Sequence, residues 1–261
     1  MATPRWTVIR FSTGVALLAA ATAGFAGNAA GQNRLEPHYR AQRPSGEGPF
    51  PTIMLVPGCG GISATRVQTA EQLVGRGYAV AFVDYISARG LQTACRGEVS
   101  FEDVAADLRT VGAHLRSLPH VAPGGLGAVG WSWGGGAILA SLALSGKDQP
   151  PPFNAAAAFY PVCSRLRAWK TKVPALVLLG GRDDIAPPRP CEDLVRSVGS
   201  ESLVEMRLYP EARHSFDSSE LPAMAPSRAF PGKTIGYHAE ATREAWNEVL
   251  TLFDRELRRP K

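Results

Sequence analysis

Six short apolar runs, each set off from the next by Gly, Pro or a helical pattern, limit what this chain can fold into more than any other feature. They fall at 52–56 (TIMLV), 78–83 (YAVAFV), 126–130 (LGAVG), 155–160 (AAAAFY), 175–179 (ALVLL) and 203–208 (LVEMRL). Runs of this kind suit strands covered on both faces. Between them the pattern turns helical. Residues 64–75 read as one helix, and a better one opens at Ser100. There Ser100 and Asp103 form a capping box, while Val104, Leu108, Val111 and Leu115 share one face. Near the C-terminus Trp246, Val249, Phe253 and Leu257 recur at helical spacing. Strand and helix alternating throughout predict an α/β architecture, a mostly parallel sheet with helices on both faces. With 261 residues, 45% of them apolar, the chain supplies one sizeable core. In such sheets chemistry gathers just beyond the carboxyl ends of the strands.

The N-terminus reads differently from the rest. Arg5 and Arg10 precede an uncharged stretch at 15–26 (VALLAAATAGFA), and small residues follow in GNAAGQ. A basic start, a short apolar middle and a small-residue exit predict a secretory signal peptide over 1–30, cut near Ala29 or Ala30. The apolar stretch is too short and too rich in Ala, Gly and Thr to span a bilayer. The expectation is therefore an exported protein, periplasmic or secreted, whose single domain occupies 31–261 and keeps no stable membrane anchor once the leader is gone.

Three segments carry the residues of a nucleophilic site. In AVGWSWGGGAIL, the run at 126–130 leads straight into Ser132 and then into a helix opened by glycines. A G-x-S-x-G turn of this kind holds a serine hydroxyl exposed at a helix N-terminus, where dipole and free N–H groups favour developing negative charge. A serine needs a base and an orienting acid. The base candidate is His214 in YPEARHSFD, after the run at 203–208. The acid candidates, Asp183 and Asp184 in LLGGRDDIAP, follow the run at 175–179. The order Ser, Asp, His is that of the α/β-hydrolase arrangement.

From Arg34 to Leu257 the chain resembles the dienelactone hydrolase family of α/β hydrolases. The matching stretches are FPTIMLVPGCGGI, VDYISARGL, VGWSWGGGAIL, AFYPVC, LLGGRDDIAPPRPC, YPEARHSFD and the final GYHAEATREAWNEVLTLF. Laid on the family's G-x-x-D-x-x-x-P pattern, the resemblance implies Asp183 as the acid, with Asp184 as the fallback. It also implies an oxyanion hole from two backbone N–H groups, those of Trp133 and of Cys59, with Gly60 the second choice to Cys59. The namesake enzymes carry a Cys nucleophile and a Glu in the first loop. Ser132 and Pro57 stand in those places here, which moves the expected substrate from dienelactone toward ordinary esters and lactones. The connection between the runs at 155–160 and 175–179 is too short for a cap domain. The long one from Ser215 to Gly236, with Met224, Phe230 and several prolines, is expected to line one wall.

The expected activity is thus a serine carboxylic-ester hydrolase that passes through an acyl-enzyme on a small-molecule ester or lactone. Two other readings stand beside it. G-W-S-x-G-G also resembles the elbow of the prolyl oligopeptidase group, which points to a serine peptidase; and the same fold can serve as a non-catalytic binding module. Two readings are open for Arg89, a substrate-carboxylate contact or an ion pair with a nearby acid. Trp131 and Trp133 are read as packing residues. No cofactor and no metal are expected: there is no C-x-x-C and no His at zinc-like spacing from a cysteine. The G-x-G-x-x-G of Gly125, Gly127 and Gly130 overlies a strand instead of following one, so it is no dinucleotide fingerprint. The net charge of +5 comes from scattered Lys and Arg without a basic stripe, so no nucleic-acid partner is expected. The four cysteines all follow strands. Their placement pairs Cys59 with Cys95 and Cys163 with Cys191, and an oxidising compartment permits both bonds.

Overall fold

A computed structural model describes residues 7–8, 39–143, 150–166, 171–198 and 203–258. One sheet forms the centre, built from β1 (Thr7–Val8), β2 (Tyr39–Gln42), β3 (Phe50–Val56), β4 (Ala79–Val83), β5 (Val121–Trp131), β6 (Ala155–Phe159), β7 (Ala175–Gly180) and β8 (Val204–Tyr209). Its strand order is β1-β2-β4-β3-β5-β6-β7-β8. The six strands from β4 to β8 along that order run parallel, and β2 runs against them, pairing antiparallel with both β4 and β1. Among the described residues five α-helices cover it: α1 (Ala64–Gly75), α2 (Phe101–Ser117), α3 (Trp133–Ala143), α4 (Arg189–Val198) and α5 (Ala239–Leu257). A small hairpin of β9 (Ala225–Pro226) and β10 (Thr234–Ile235) stands apart. Except for β1, the predicted leader and its cut site lie outside the described residues. No helix among the described residues is long and apolar enough to cross a membrane.

The apolar runs lack alternation because both faces of the sheet are buried. Successive side chains of a strand point to opposite faces. Ile53 and Leu55 of β3, with Val80 and Phe82 of β4, join one cluster with Ala70 and Leu73 of α1 and with Val249, Leu252 and Phe253 of α5. Met54, Val56, Ala81 and Val83 enter the other, with Val104, Leu108 and Val111 of α2, Ile138 of α3 and Leu194 of α4. The predicted stripes of α2 and α5 face this core, although Trp246 is only partly buried. The capping box forms as expected: Asp103 N–H donates to Ser100 Oγ at 3.1 Å and Ser100 N–H to Asp103 Oδ2 at 3.2 Å. Such a cap is worth about 1 kcal/mol.

Three elements depart from the sequence reading. β2 (YRAQ) carries no apolar run, because it lies toward the sheet edge with half its residues only partly buried. β5 begins at Val121, earlier than expected, since a register shift between Phe50 and Thr52 absorbs the Pro-Gly-Gly segment. α4 adds a short amphipathic helix, with several charged residues, where the sequence shows no long apolar stripe. Among the described residues the connection from β6 to β7 holds no cap domain.

Close packing at the elbow makes a sharp prediction. A Cβ added at Gly134 in α3 would lie 2.4 Å from the carbonyl oxygens of both Val56 and Pro57. Those are backbone atoms at the end of a central strand, and they cannot swing aside. Gly134→Ala is expected to cost about 3 kcal/mol or more in chemical denaturation, at the upper end of overpacking effects. Gly60→Ala, where an added Cβ meets nothing within 4 Å, is expected to stay within about 0.5 kcal/mol of the parent.

Candidate active site

Three strand ends deliver three side chains to one point. β5 ends at Trp131 and α3 begins at Trp133, so Ser132 makes the whole turn, at φ +51°. That left-handed conformation is uncommon for a side-chain-bearing residue and marks stored strain. It is over-determined by the backbone. Ser132 N–H donates to Phe159 O at 2.9 Å, and Ser132 O accepts from Gly136 N–H at 2.9 Å and Val162 N–H at 3.3 Å. The serine side chain thus projects at the N-terminus of a helix, with only 8% of the residue exposed.

His214 lies in the loop beyond β8, and its Nε2 is 3.0 Å from Ser132 Oγ. Its Nδ1 is 2.7 Å from Asp183 Oδ2, beyond β7. The other carboxylate oxygen, Oδ1, accepts the backbone N–H groups of Ile185 at 2.9 Å and Ala186 at 2.8 Å. An ionised carboxylate only accepts, so the proton between His214 and Asp183 sits on Nδ1. Nε2 is then free to accept the serine proton. The neighbouring Asp184 is turned elsewhere. Its oxygens accept from the Thr234 amide at 3.1 and 3.3 Å, tying the β9–β10 hairpin to this edge.

Two oxyanion candidates flank the serine turn. Trp133 is the first residue of α3, so its N–H has no partner within the helix. Cys59 lines the cavity beside Ser132, as does Gly60. Its carbonyl is pinned by Ala94 N–H at 2.8 Å and Thr93 Oγ1 at 3.1 Å, and its sulfur is bonded to Cys95. The second disulfide joins Cys163 and Cys191, so both pairings match the sequence reading. Trp133's ring packs on Phe101, with centroids 4.4 Å apart, and Trp131 is buried. Among the described residues no group of three or more His, Cys, Asp or Glu side chains could hold a metal ion.

Arg89 requires a correction. The substrate-facing reading fails, because Arg89 pairs with Asp107 of α2 at 2.7 and 3.3 Å and donates to Tyr85 O at 2.8 Å. The two side chains are largely withdrawn from solvent together. Burial lifts the Asp107 carboxyl above its ordinary value, and Arg89 pulls it back. Arg89 is not among the residues lining the cavity. The 215–236 connection does form a wall, through Leu221, Pro222, Pro226 and Phe230. Met224 does not take part and is 61% exposed.

Beneath the cavity, of about 700 Å³, lies a buried polar cluster that the sequence reading missed. Arg66 of α1 donates from Nη1 to Asp217 Oδ2 at 2.5 Å and from Nη2 to Asp217 Oδ1, Tyr160 OH and Ser218 Oγ at 2.8–2.9 Å. Tyr160 OH donates to Asp217 Oδ1 at 2.6 Å, and Trp131 Nε1 to Oδ2 at 2.8 Å. Asp217 follows His214 by three residues, Trp131 precedes Ser132, and α1 follows the Cys59 loop. One carboxylate therefore ties together the segments that carry all three. Tyr160, itself at φ +37°, lays its ring 4.6 Å from the His214 ring. Burial pushes the Tyr160 phenol well above its ordinary range. Burial alone would pull the Arg66 guanidinium down, but Asp217, Tyr160 and Glu220 hold it above its usual value. One local signal was available: Arg66 shares a helical face with Ala70 and Leu73, where an apolar residue is expected.

The dienelactone hydrolase family profile matches residues 38–257. A carboxymethylenebutenolidase of Pseudomonas putida is 26% identical over 184 residues, 64% of this chain and 75% of that protein. Among solved structures, a dienelactone hydrolase-like promiscuous phosphotriesterase from metagenomic libraries superposes with TM-score 0.66 at 18% identity, covering 84% of this chain and 92% of that one. Esterase 2 of Thermogutta terrifontis, phosphorylated by paraoxon, superposes with TM-score 0.57 at 19% identity, covering 86% and 91%.

Proposed function

The chain belongs to the dienelactone hydrolase family, and from that footing we propose that it is an exported serine esterase, cleaving carboxylic esters or lactones through an acyl-enzyme. The observation that carries this reading is the unbroken relay from Ser132 Oγ to His214, at 3.0 Å, and on to Asp183, at 2.7 Å. In the reading, Ser132 Oγ attacks the ester carbonyl carbon while Nε2 takes its proton. The C–O bond to the alcohol breaks as His214 hands that proton to the leaving oxygen. Water then repeats the sequence on the acyl-enzyme, releasing the acid and restoring Ser132. The Trp133 and Cys59 N–H groups receive the negative charge on the carbonyl oxygen, each worth about 3 kcal/mol in the transition state. Serine in place of the namesakes' cysteine, with Pro57 in place of their first-loop Glu, favours ordinary esters over dienelactone.

The test is labelling of the folded protein by a fluorophosphonate probe, with the adduct mapped by mass spectrometry. Attachment to Ser132 together with turnover of a short 4-nitrophenyl ester is the expected result. A folded protein that takes no label and turns over no ester returns the chain to a non-catalytic binding module. Matched ester and amide substrates separate esterase from peptidase.

The Cys59–Cys95 bond closes a loop with a sequence separation of 36 residues. It anchors the residue whose amide serves as an oxyanion donor in this reading. Replacing both cysteines by serine is expected to cost about 3 kcal/mol in denaturation. It should also lower kcat about tenfold with little change in KM, a partial loss of one oxyanion donor. Export belongs to the same proposal, supported by two disulfides suited to an oxidising compartment. The expected mature N-terminus lies just after Ala29 or Ala30, which N-terminal sequencing of the protein from its native host checks. Cleavage there would remove β1 and leave β2 at the sheet edge.

A further inference from the structure

Few charged side chains line the cavity. Among the described residues its lining holds two permanent cations, Arg66 and Arg228. Arg228 is exposed at the rim, as is Glu220. Arg66 is the one set into the wall, 5% exposed, and every acceptor it meets belongs to the protein. Both oxygens of Asp217 are occupied by it, and the Asp217 side chain has no exposure at all. Arg89, another cation near this edge, is taken by Asp107. The rest of the wall is largely apolar, through Ile185, Leu221, Pro222, Pro226, Phe230 and Ile235.

We propose that Asp217 determines specificity: by holding Arg66 in a closed, buried ion pair, it withholds the cation in the cavity wall from the substrate, so that the site takes esters whose acyl part is uncharged and turns away those bearing a carboxylate. The proposal rests on the esterase reading of the same site. A carboxylate drawn into an apolar cavity loses its hydration and must find a cation in return. Here Asp217 already occupies that place, and a second carboxylate would meet its repulsion. A neutral acyl chain needs no such partner and gains from apolar contact. Asn at 217 keeps the shape and much of the hydrogen bonding but removes the charge, which exposes Arg66 to a substrate anion as a charge-assisted donor.

The experiment compares two substrates that differ only in charge, 4-nitrophenyl methyl adipate and 4-nitrophenyl hydrogen adipate, at neutral pH. The wild-type protein is expected to favour the methyl ester in kcat/KM by about tenfold or more. Asp217→Asn should raise the acid-to-methyl-ester ratio by about tenfold, the worth of one charge-assisted contact. Adding Arg66→Gln to that variant should return the ratio to the wild-type value, which loss of structure alone would not do. If Asp217→Asn does not fold, Arg66→Gln alone, which leaves the Asp217 charge without its cation in the wall, should lower the same ratio, and an unchanged ratio in that folded variant overturns the proposal. A wild-type preference for the acid overturns the proposal. So does a folded, active Asp217→Asn protein with an unchanged ratio, or a double variant that keeps the gain. Failure of the esterase reading is distinct: neither substrate is turned over and Ser132 takes no label.

Discussion

Replacing Ser132 by alanine is expected to lower kcat on a short 4-nitrophenyl ester by about six orders of magnitude, leaving only the residual rate that binding and oxyanion donors sustain. The size follows from what the side chain does in the proposed mechanism: without Oγ there is no acyl-enzyme, and His214 has no proton to move. Stability should hardly change. The bonds that fix residue 132 are made by its backbone, to Phe159, Gly136 and Val162, and alanine keeps all of them. The left-handed φ of +51° burdens serine and alanine alike, and the lost contact is a single hydrogen bond to His214, worth about 1 kcal/mol. Thermal melting beside the rate assay checks both halves. A variant that stays folded and still turns over ester at even a hundredth of the parental rate removes Ser132 from the mechanism.

The features legible in the sequence were those encoded locally. Each triad candidate follows an apolar run, so strand ends and short motifs were enough to bring Ser132, Asp183 and His214 to one edge. The cysteine pairs were legible for the same reason, since all four residues follow strands. The cluster under the site was not. Arg66 and Asp217 lie 151 positions apart, and nothing near either one announces the other. Their meeting depends on the loop beyond β8 reaching the start of α1. β2 was hidden because a strand near the sheet edge needs no apolar pattern, and α4 because its polar, charged face outweighs its buried one. Arg89 shows the limit from the other side. Both of its readings were chemically sound, and the choice between them turned on Asp107 lying on the facing side of α2.

Asparagine at 183 is expected to lower kcat by about four orders of magnitude, the loss seen when the orienting acid of a triad becomes an amide. The geometry leaves the amide no good orientation. If its oxygen keeps the Ile185 and Ala186 amides that Oδ1 now accepts, its NH₂ faces His214 Nδ1. The imidazole must then hold its proton on Nε2, and the base toward Ser132 is gone. If the amide turns over, its oxygen reaches His214, but its NH₂ confronts two backbone N–H groups that have lost their acceptor, and no charge remains to stabilise the imidazolium. Asp184→Asn tests the other candidate. That carboxylate accepts from Thr234 at the base of the hairpin and touches neither Ser132 nor His214, so kcat should change by no more than about fivefold, as for a contact outside the triad. Kinetics of the two variants, with melting curves to show that both are folded, decide between them. Equal losses in the two, or a larger loss at Asp184, would remove Asp183 from its assigned role. The predicted asymmetry has one cause: of two adjacent carboxylates at the end of β7, only Asp183 has one oxygen fixed by the backbone and the other aimed at the imidazole.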